Sequence, residues 1–413
     1  MLRSFLPYVR GAGVDTRWAV LREKAEFFEL TKRIHNNLHG DSGDGGPLGD
    51  GERLLYEATL AESISYLTPL LREDDIVYLH DPQTAGLAPA LQRAGVQIIW
   101  RCHIGADRPN AVVRRAWEFL APYLAQADAF VFSRRQYIWD VLDARRAWVM
   151  APAIDPFSPK NQELDPSTVR AILGTIGLEE RPPATAPTFT RADGTPGRVE
   201  RRAEVLQAAP LPSDAALIAQ VSRWDRLKDP GGVLRCFAEY LANSNLHLVL
   251  AGPASGAVVD DPEGAGVHSE IATSWEALPA TLRKRAHIVT LPMADLDENG
   301  AMVNALQRRA DVIIQKSLAE GFGLTVAEAM WKAKPVVASR VGGIQDQIVD
   351  GESGVLIDDP SDLQGFATKS LTLIEDPTEA TRLGDAARLR VKEDFLAVRR
   401  LADYVDLLAG LGR

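Results

Sequence analysis

Ser317-Leu318-Ala319-Glu320-Gly321-Phe322-Gly323-Leu324-Thr325-Val326-Ala327-Glu328-Ala329-Met330 is the stretch around which the rest of the chain is organised. It follows an apolar run, Ala310 to Gln315, that reads as a buried strand, and it leads into an alanine-rich helix ending near Ala333. Strand, glycine loop and helix together make an anion site, because the first amides of a helix lack internal partners and the dipole is positive there. Gly321 and Gly323 let the backbone come close to a bulky ligand. Glu320 and Glu328 cannot bind phosphate, but they suit hydroxyl groups. A diphosphate flanked by sugars, that is a sugar nucleotide, fits this layout. An ordinary strand-loop-helix joint with two solvated glutamates fits the spacing equally well, so the decision falls to the rest of the chain.

With 413 residues the chain is too long for one core and points to two or three domains. Apolar residues make up 46% and charged residues 25%, as in soluble globular proteins, and the net charge of -10 argues against a nucleic-acid surface. No apolar run approaches a membrane span and no signal peptide is visible. Cys102 and Cys236 lie far apart without metal-ligand spacing, and are expected as reduced thiols in or near the core of a cytoplasmic protein.

Residues 2–10 read as the back half of a helix closed by Gly11 and Gly13, and Thr16 to Leu21 as a strand. Phe27 to Gly40 reads as a helix, Asp41 to Gly51 as a mobile acidic glycine loop, and 52–71 as a helix. Strands are expected at 75–81, 96–103, 129–132 and 148–150, and after a linker at 151–156 a second set at 216–221, 247–252, 288–290, 312–314 and 335–338. The stretch 180–212 shows no period and reads as an insertion loop. This alternation predicts an α/β protein with two doubly wound, Rossmann-like domains facing a cleft. Such a domain opens with a strand and a tight turn before its first helix. Both are missing, so the first domain is expected to lack its first strand. Either the protein begins upstream of Met1 or the first domain closes over the gap. An incomplete start is favoured, since nothing later offers a spare strand for the slot.

Ligands in such sheets bind beyond the carboxyl ends of strands. Arg223 and Lys228, in Ser222-Arg223-Trp224-Asp225-Arg226-Leu227-Lys228, follow the first strand of the second half and could neutralise a diphosphate leaving group. Two exposed bases on a loop are the competing reading. His80-Asp81 and Arg101-Cys102-His103 end two strands of the first half and suggest a polyol-binding face opposite. Gly342-Gly343 allows close backbone approach after the next strand.

The two glutamates separated by seven residues, with the arginine-lysine pair, resemble the signature of retaining family-4 glycosyltransferases of the GT-B fold. More closely, F-F-E-L-T-K-R-I-H-N-N-L-H-G (27–40), H-D-P-Q (80–83), W-R-C-H-I (100–104), E-G-F-G-L-T-V-A-E-A-M-W (320–331) and V-G-G-I-Q-D-Q-I-V-D-G-E (341–352) are similar to the trehalose glycosyltransferring synthases. The resemblance covers most of the chain apart from 41–51 and 180–212. It implies an acceptor-side domain over 1–155, a nucleotide-sugar domain over 156–390, and a C-terminal helix over 391–413 crossing back to the first domain. It implies a retaining hexosyltransferase that moves glucose from a nucleoside-diphosphate-glucose to free glucose. Arg223 and Lys228 would bind the donor diphosphate, Glu320 the transferred sugar and Glu328 the nucleotide ribose. Gly321, Phe322, Gly323, Leu324 and Thr325 would hold the phosphates through backbone amides. His80, Asp81, Arg101 and His103 would form the sugar-acceptor pocket, and Asp81 joins Glu320, Arg223 and Lys228 in the expected catalytic set. No tightly bound cofactor or metal is implied, although a divalent ion is compatible, as is a homodimer.

The sequence departs from the family at Ile104-Gly105-Ala106-Asp107, which lacks the acid expected directly after the isoleucine. That bears on the acceptor more than on the donor. A transferase with another acceptor, a sugar-nucleotide epimerase, and a non-catalytic sugar-nucleotide-binding paralogue remain as alternatives.

Overall fold

Four apolar runs of the first half form a parallel sheet in chain order: β1 (Ile76–His80), β2 (Gln97–Cys102), β3 (Ala129–Phe132) and β4 (Ala147–Val149). The structure is a computed structural model that describes residues 2–21, 23–180, 185–254 and 263–411. β2 is buried on both faces, as parallel strands between helix layers must be. Ile98, Trp100 and Cys102 face the helices Ala25–Leu38, Asp50–Leu67 and Ala111–Leu124, in one core with Phe27, Ile34, Tyr56 and Phe119. Ile99, on the opposite face, packs with Val131, Met150 and Leu407, the last carried by the helix Ala397–Gly410. The helix Ala397–Gly410 therefore packs against the first sheet, and Phe5 of the helix Leu2–Gly11 meets its Tyr404 in a tilted ring contact with centroids 4.8 Å apart.

The second sheet runs β13-β12-β11-β8-β9-β10-β7, where β7 is Glu204–Leu206, β8 Leu217–Val221, β9 His247–Pro253, β10 Ala286–Leu291, β11 Val312–Gln315, β12 Val336–Ser339 and β13 Val355–Ile357. Its parallel part has the doubly wound order 3-2-1-4-5-6, with β7 added antiparallel to β10. The order in which strands are added reverses between the parallel neighbours β8 and β11, so the crevice for a ligand opens at the carboxyl ends of those two strands.

Two expectations are corrected. Thr16 to Leu21 forms no strand: Trp18 and Val20 are 50% and 66% exposed, and the segment meets no sheet edge that could pair its backbone, which water solvates instead. The stretch 180–212 is more than a loop. It carries a hairpin of β5 (Thr188–Thr190) and β6 (Pro196–Arg198) and then β7; strands of three residues are too short to show a period. Residues 181–184 lie outside the described part. The glycine loop after the first-domain helix is fastened by Arg33, which pairs with Asp44 at 2.7 Å and donates to Pro47 O at 2.8 Å. Among the described residues no strand pairs with the outer edge of β1.

Burial pushes five of the seven histidines down: His39 and His247 to about 4, His80 and His287 to about 3, and His35 well below its ordinary value. They are neutral in the fold and protonate on unfolding, so the unfolded chain binds more protons and stability rises with pH. Their contribution is complete above about 6.5, the unfolded value, and is lost as pH falls toward 4. The urea midpoint should therefore drop steadily from about pH 7 to about pH 5.5, before most carboxylates begin to titrate. A midpoint that stays constant over that interval contradicts this account.

Candidate active site

The loops after β8 and β11 are fastened to each other before any ligand arrives. Gln220, the penultimate residue of β8, accepts from Lys316 N at 2.9 Å and donates to Lys228 O at 2.9 Å. Leu318 N donates to Leu227 O at 2.7 Å, and the buried Lys316 amino group pairs with Asp229. Asp225 caps the turn Arg226–Lys228 by accepting from Leu227 N at 2.8 Å, and Trp224 Nε1 ties the loop to Pro253 O. Gly323, at φ +85°, caps the helix Leu324–Trp331, a conformation that favours glycine.

This scaffold brings Lys228 Nζ to 2.7 Å from Glu320 Oε2, with both side chains largely buried. Arg223 reaches Asp225 Oδ2 at 3.2 Å, and so does Lys32 of the first half, also at 3.2 Å. Burial works against a charged Asp225, but Lys32, Lys228 and Arg223 outweigh it and hold its carboxyl well below the usual range. Three cations and two carboxylates thus meet at the switch point, in a cleft of about 460 Å³ between the two halves.

Asp81 and His103 form the facing wall, together with His35 and His39. His39 Nδ1 donates to Gly105 O at 3.1 Å, and burial, followed by the nearby Lys228, keeps its ring neutral. The second-half wall continues through Gly321, Phe322, Gly323 and Leu324. Gly321 lies so close to the first half that a Cβ would stand 2.4 Å from His103 O.

Not every residue expected at the site lines this cleft. Arg101 is 2% exposed and lies behind the wall, bonded to Tyr404, Met150 O and His103. His80 stacks on the His103 ring at 5.6 Å, also off the cleft lining. Thr325 donates to Gln315 Oε1 at 3.0 Å, within its own half. Glu328 is buried and pairs with Lys160 at 3.2 Å, again within the second half.

Sequence reasoning assigned no role to Lys32, His39 or Asp225. Lys32 had a fainter signal: with His35 and His39, at i+3 and i+7, it lies on one side of its helix, away from the apolar face of Phe27, Leu30 and Ile34. The departure at Gly105 also has a structural cause. A Cβ there would lie 2.2 Å from the Tyr137 ring, and Tyr137 OH donates to Glu320 O at 2.8 Å. Asp107, two residues on, turns to the other half: it accepts from Gly342 N at 3.0 Å and Gln345 Nε2 at 2.8 Å and pairs with Arg134. Among the described residues no group of three or more His, Cys, Asp or Glu side chains is placed to hold a metal ion, and no helix is long and apolar enough to cross a membrane.

Comparison with known proteins matches residues 1–139 to the family model described as trehalose synthase, N-terminal domain, and residues 202–390 to glycosyl transferases group 1. The trehalose synthase of Pyrococcus horikoshii is 32% identical over 415 residues, covering 100% of this chain and 86% of that protein. That of Rubrobacter xylanophilus is 34% identical over 422 residues, with the same coverages of 100% and 86%. Among solved structures, an α,α-trehalose-phosphate synthase (UDP-forming) from Burkholderia xenovorans, in complex with glucose-6-phosphate, superposes with a TM-score of 0.67 at 17% identity, covering 93% of this chain and 85% of that one. Anabaena HepE in complex with UDP-glucose gives 0.64 at 15% identity, covering 95% and 98%. These structural likenesses show the fold, two Rossmann-like units of the GT-B type. With relatives above 30% identity along its whole length, the chain belongs to the trehalose synthase family and is a glycosyltransferase acting in trehalose metabolism.

Proposed function

We propose that the chain moves glucose from a nucleoside-diphosphate-glucose to free glucose, making trehalose with retention at the transferred carbon. The observation that carries this reading is the Lys228–Glu320 pair, set beside Arg223 on one wall of a cleft whose other wall presents Asp81. Diphosphate arriving at the switch point gives Lys228 and Arg223 a doubly charged partner. Glu320, released from Lys228, accepts hydrogen bonds from the hydroxyls of the donor sugar. As the bond from the glucose C1 to the phosphate oxygen breaks, the two cations neutralise the charge growing on the diphosphate. The acceptor hydroxyl attacks C1 from the same face and passes its proton to the departing phosphate oxygen, giving trehalose and nucleoside diphosphate. Asp81 orients the acceptor by accepting from one of its hydroxyls.

A neutral acceptor suits the first-half wall. Its histidines 35 and 39 are held uncharged by burial, and its Lys32 already serves Asp225. Gly105, where the family resemblance led us to expect an acid, is the observation that favours a different acceptor. One assay separates the two readings: ADP-, UDP- and GDP-glucose, each offered with glucose, glucose 6-phosphate or other sugars, with products identified by chromatography. Trehalose from free glucose is expected, and trehalose plus nucleoside diphosphate should regenerate nucleotide-glucose. No trehalose formed or consumed with any donor, alongside product from another acceptor, replaces this reading with the second.

A further inference from the structure

Behind the acceptor wall runs a chain of hydrogen bonds whose direction is fixed by chemistry. Arg101 Nε lies 2.8 Å from His103 Nε2, and His103 Nδ1 lies 2.9 Å from Asp81 Oδ2. A guanidinium only donates. Nε2 of His103 must therefore accept, and two donors cannot face each other at that distance. The ring proton sits on Nδ1 and points at Asp81. The His103 amide donates to Asp81 Oδ1 at 2.8 Å, so one residue grips both oxygens of the carboxylate. Asp81 needs such a grip, since its φ of +59° is a left-handed backbone that a residue with a side chain holds only under constraint. Arg101 is itself immobilised: Nη1 donates to Tyr404 OH at 2.9 Å, on the helix Ala397–Gly410, and Nη2 to Met150 O at 3.0 Å.

We propose that Arg101 and His103 are positioning residues: Arg101, anchored by the C-terminal helix through Tyr404, locks His103 as its Nδ1–H tautomer, and His103 in turn aims the Asp81 carboxylate into the acceptor side of the cleft. Both ring nitrogens of His103 are occupied, so none is left for a sugar hydroxyl. Arg101, 2% exposed, touches no substrate either. Of the four polar residues at these strand ends, Asp81 is the one that lines the cleft and keeps lone pairs for an acceptor, and its aim depends on a helix more than 300 residues away in the chain. The inference rests on the acceptor reading above only for its kinetic consequence; the tautomer stands apart from it.

Nitrogen-15 spectra of the imidazoles in the full 413-residue chain test the lock directly, with His103→Gln used to assign one ring among the seven histidines. The Nδ1–H pattern, with Nε2 bearing no proton, is expected at neutral pH. An Nε2–H tautomer or a doubly protonated ring at His103 overturns the proposal. In Arg101→Met the Nδ1–H pattern should give way to a tautomer mixture. The KM for the sugar acceptor should rise about 10- to 100-fold, as expected for losing a charge-assisted hydrogen bond that supports the binding group, while nucleoside diphosphate affinity stays within about twofold. Arg101→Lys, which restores a charged donor, should recover part of the loss. An Arg101→Met enzyme with unchanged tautomer, or with unchanged acceptor KM, sinks the proposal. If free glucose is the wrong acceptor, the wild-type chain fails to make trehalose while its His103 tautomer is still read, so the two failures are distinguishable.

Discussion

Lys228→Ala is expected to lower turnover with a sugar-nucleotide donor by about 100-fold and to leave the fold standing. The Lys228 backbone, which holds the loop to Gln220, is untouched by the change. Its amino group is what meets the donor phosphate in the proposed reaction. A charge-assisted hydrogen bond is worth about 1.5–3 kcal/mol, which is about 10- to 150-fold in rate. The upper part of that range applies because the loss also leaves the Glu320 carboxylate without its cation at 2.7 Å, to be held by the longer bond from Ser317 Oγ at 3.3 Å. Arg226→Ala provides the control. Arg226 lies two residues away, is 61% exposed and pairs with Glu270, so turnover should stay within about twofold. Steady-state rates and urea midpoints on both variants decide the matter. Wild-type turnover in Lys228→Ala would refute the diphosphate role.

Gly342→Ala should be as damaging, although residue 342 holds no charge. Gly342 has φ +50°, and a Cβ there would stand 1.7 Å from Glu320 O and 2.6 Å from Tyr137 OH. The obstacle is backbone, so no side-chain rotation relieves it. The Glu320 peptide has to move by about an ångström, and its carboxylate with it, a displacement that costs on the order of 100-fold in rate. It also breaks the hydrogen bond from Tyr137 OH to Glu320 O, which joins the two halves. Strain of this kind typically destabilises by about 2 kcal/mol or more. Gly351→Ala separates clash from backbone preference: its φ is +76° but nothing lies within 4 Å, so it should lose about 1 kcal/mol and keep its turnover. Equal turnover in the 342 and 351 variants would mean that the Glu320 loop is not held in the way described.

The chain writes its local joints plainly. Ala310 to Met330 reads as strand, glycine loop and helix because each signal (apolar run, glycine pair, alanine-rich periodicity) lies within a few residues of the next. Arg223, Lys228 and Glu320 were legible for the same reason, since each sits just past a strand end, where a doubly wound sheet presents its ligand. Tertiary structure decided which side chains face the cleft. Arg101 and His103 are two residues apart on one strand end, but Tyr404, 303 positions later, draws Arg101 behind the wall and leaves Asp81 in front. Lys32 meets Asp225, 193 positions away, across the cleft. Glu328 is turned to Lys160 by packing within its own half. β7 exists because β10 offers it an edge, whereas Thr16 to Leu21, with a better strand pattern, finds none. Hydrogen bonds, ion pairs and sheet edges are satisfied by whichever partner the fold brings near. Spacing along the chain fixes which partners lie on the same element, and the packing of elements against each other fixes the rest.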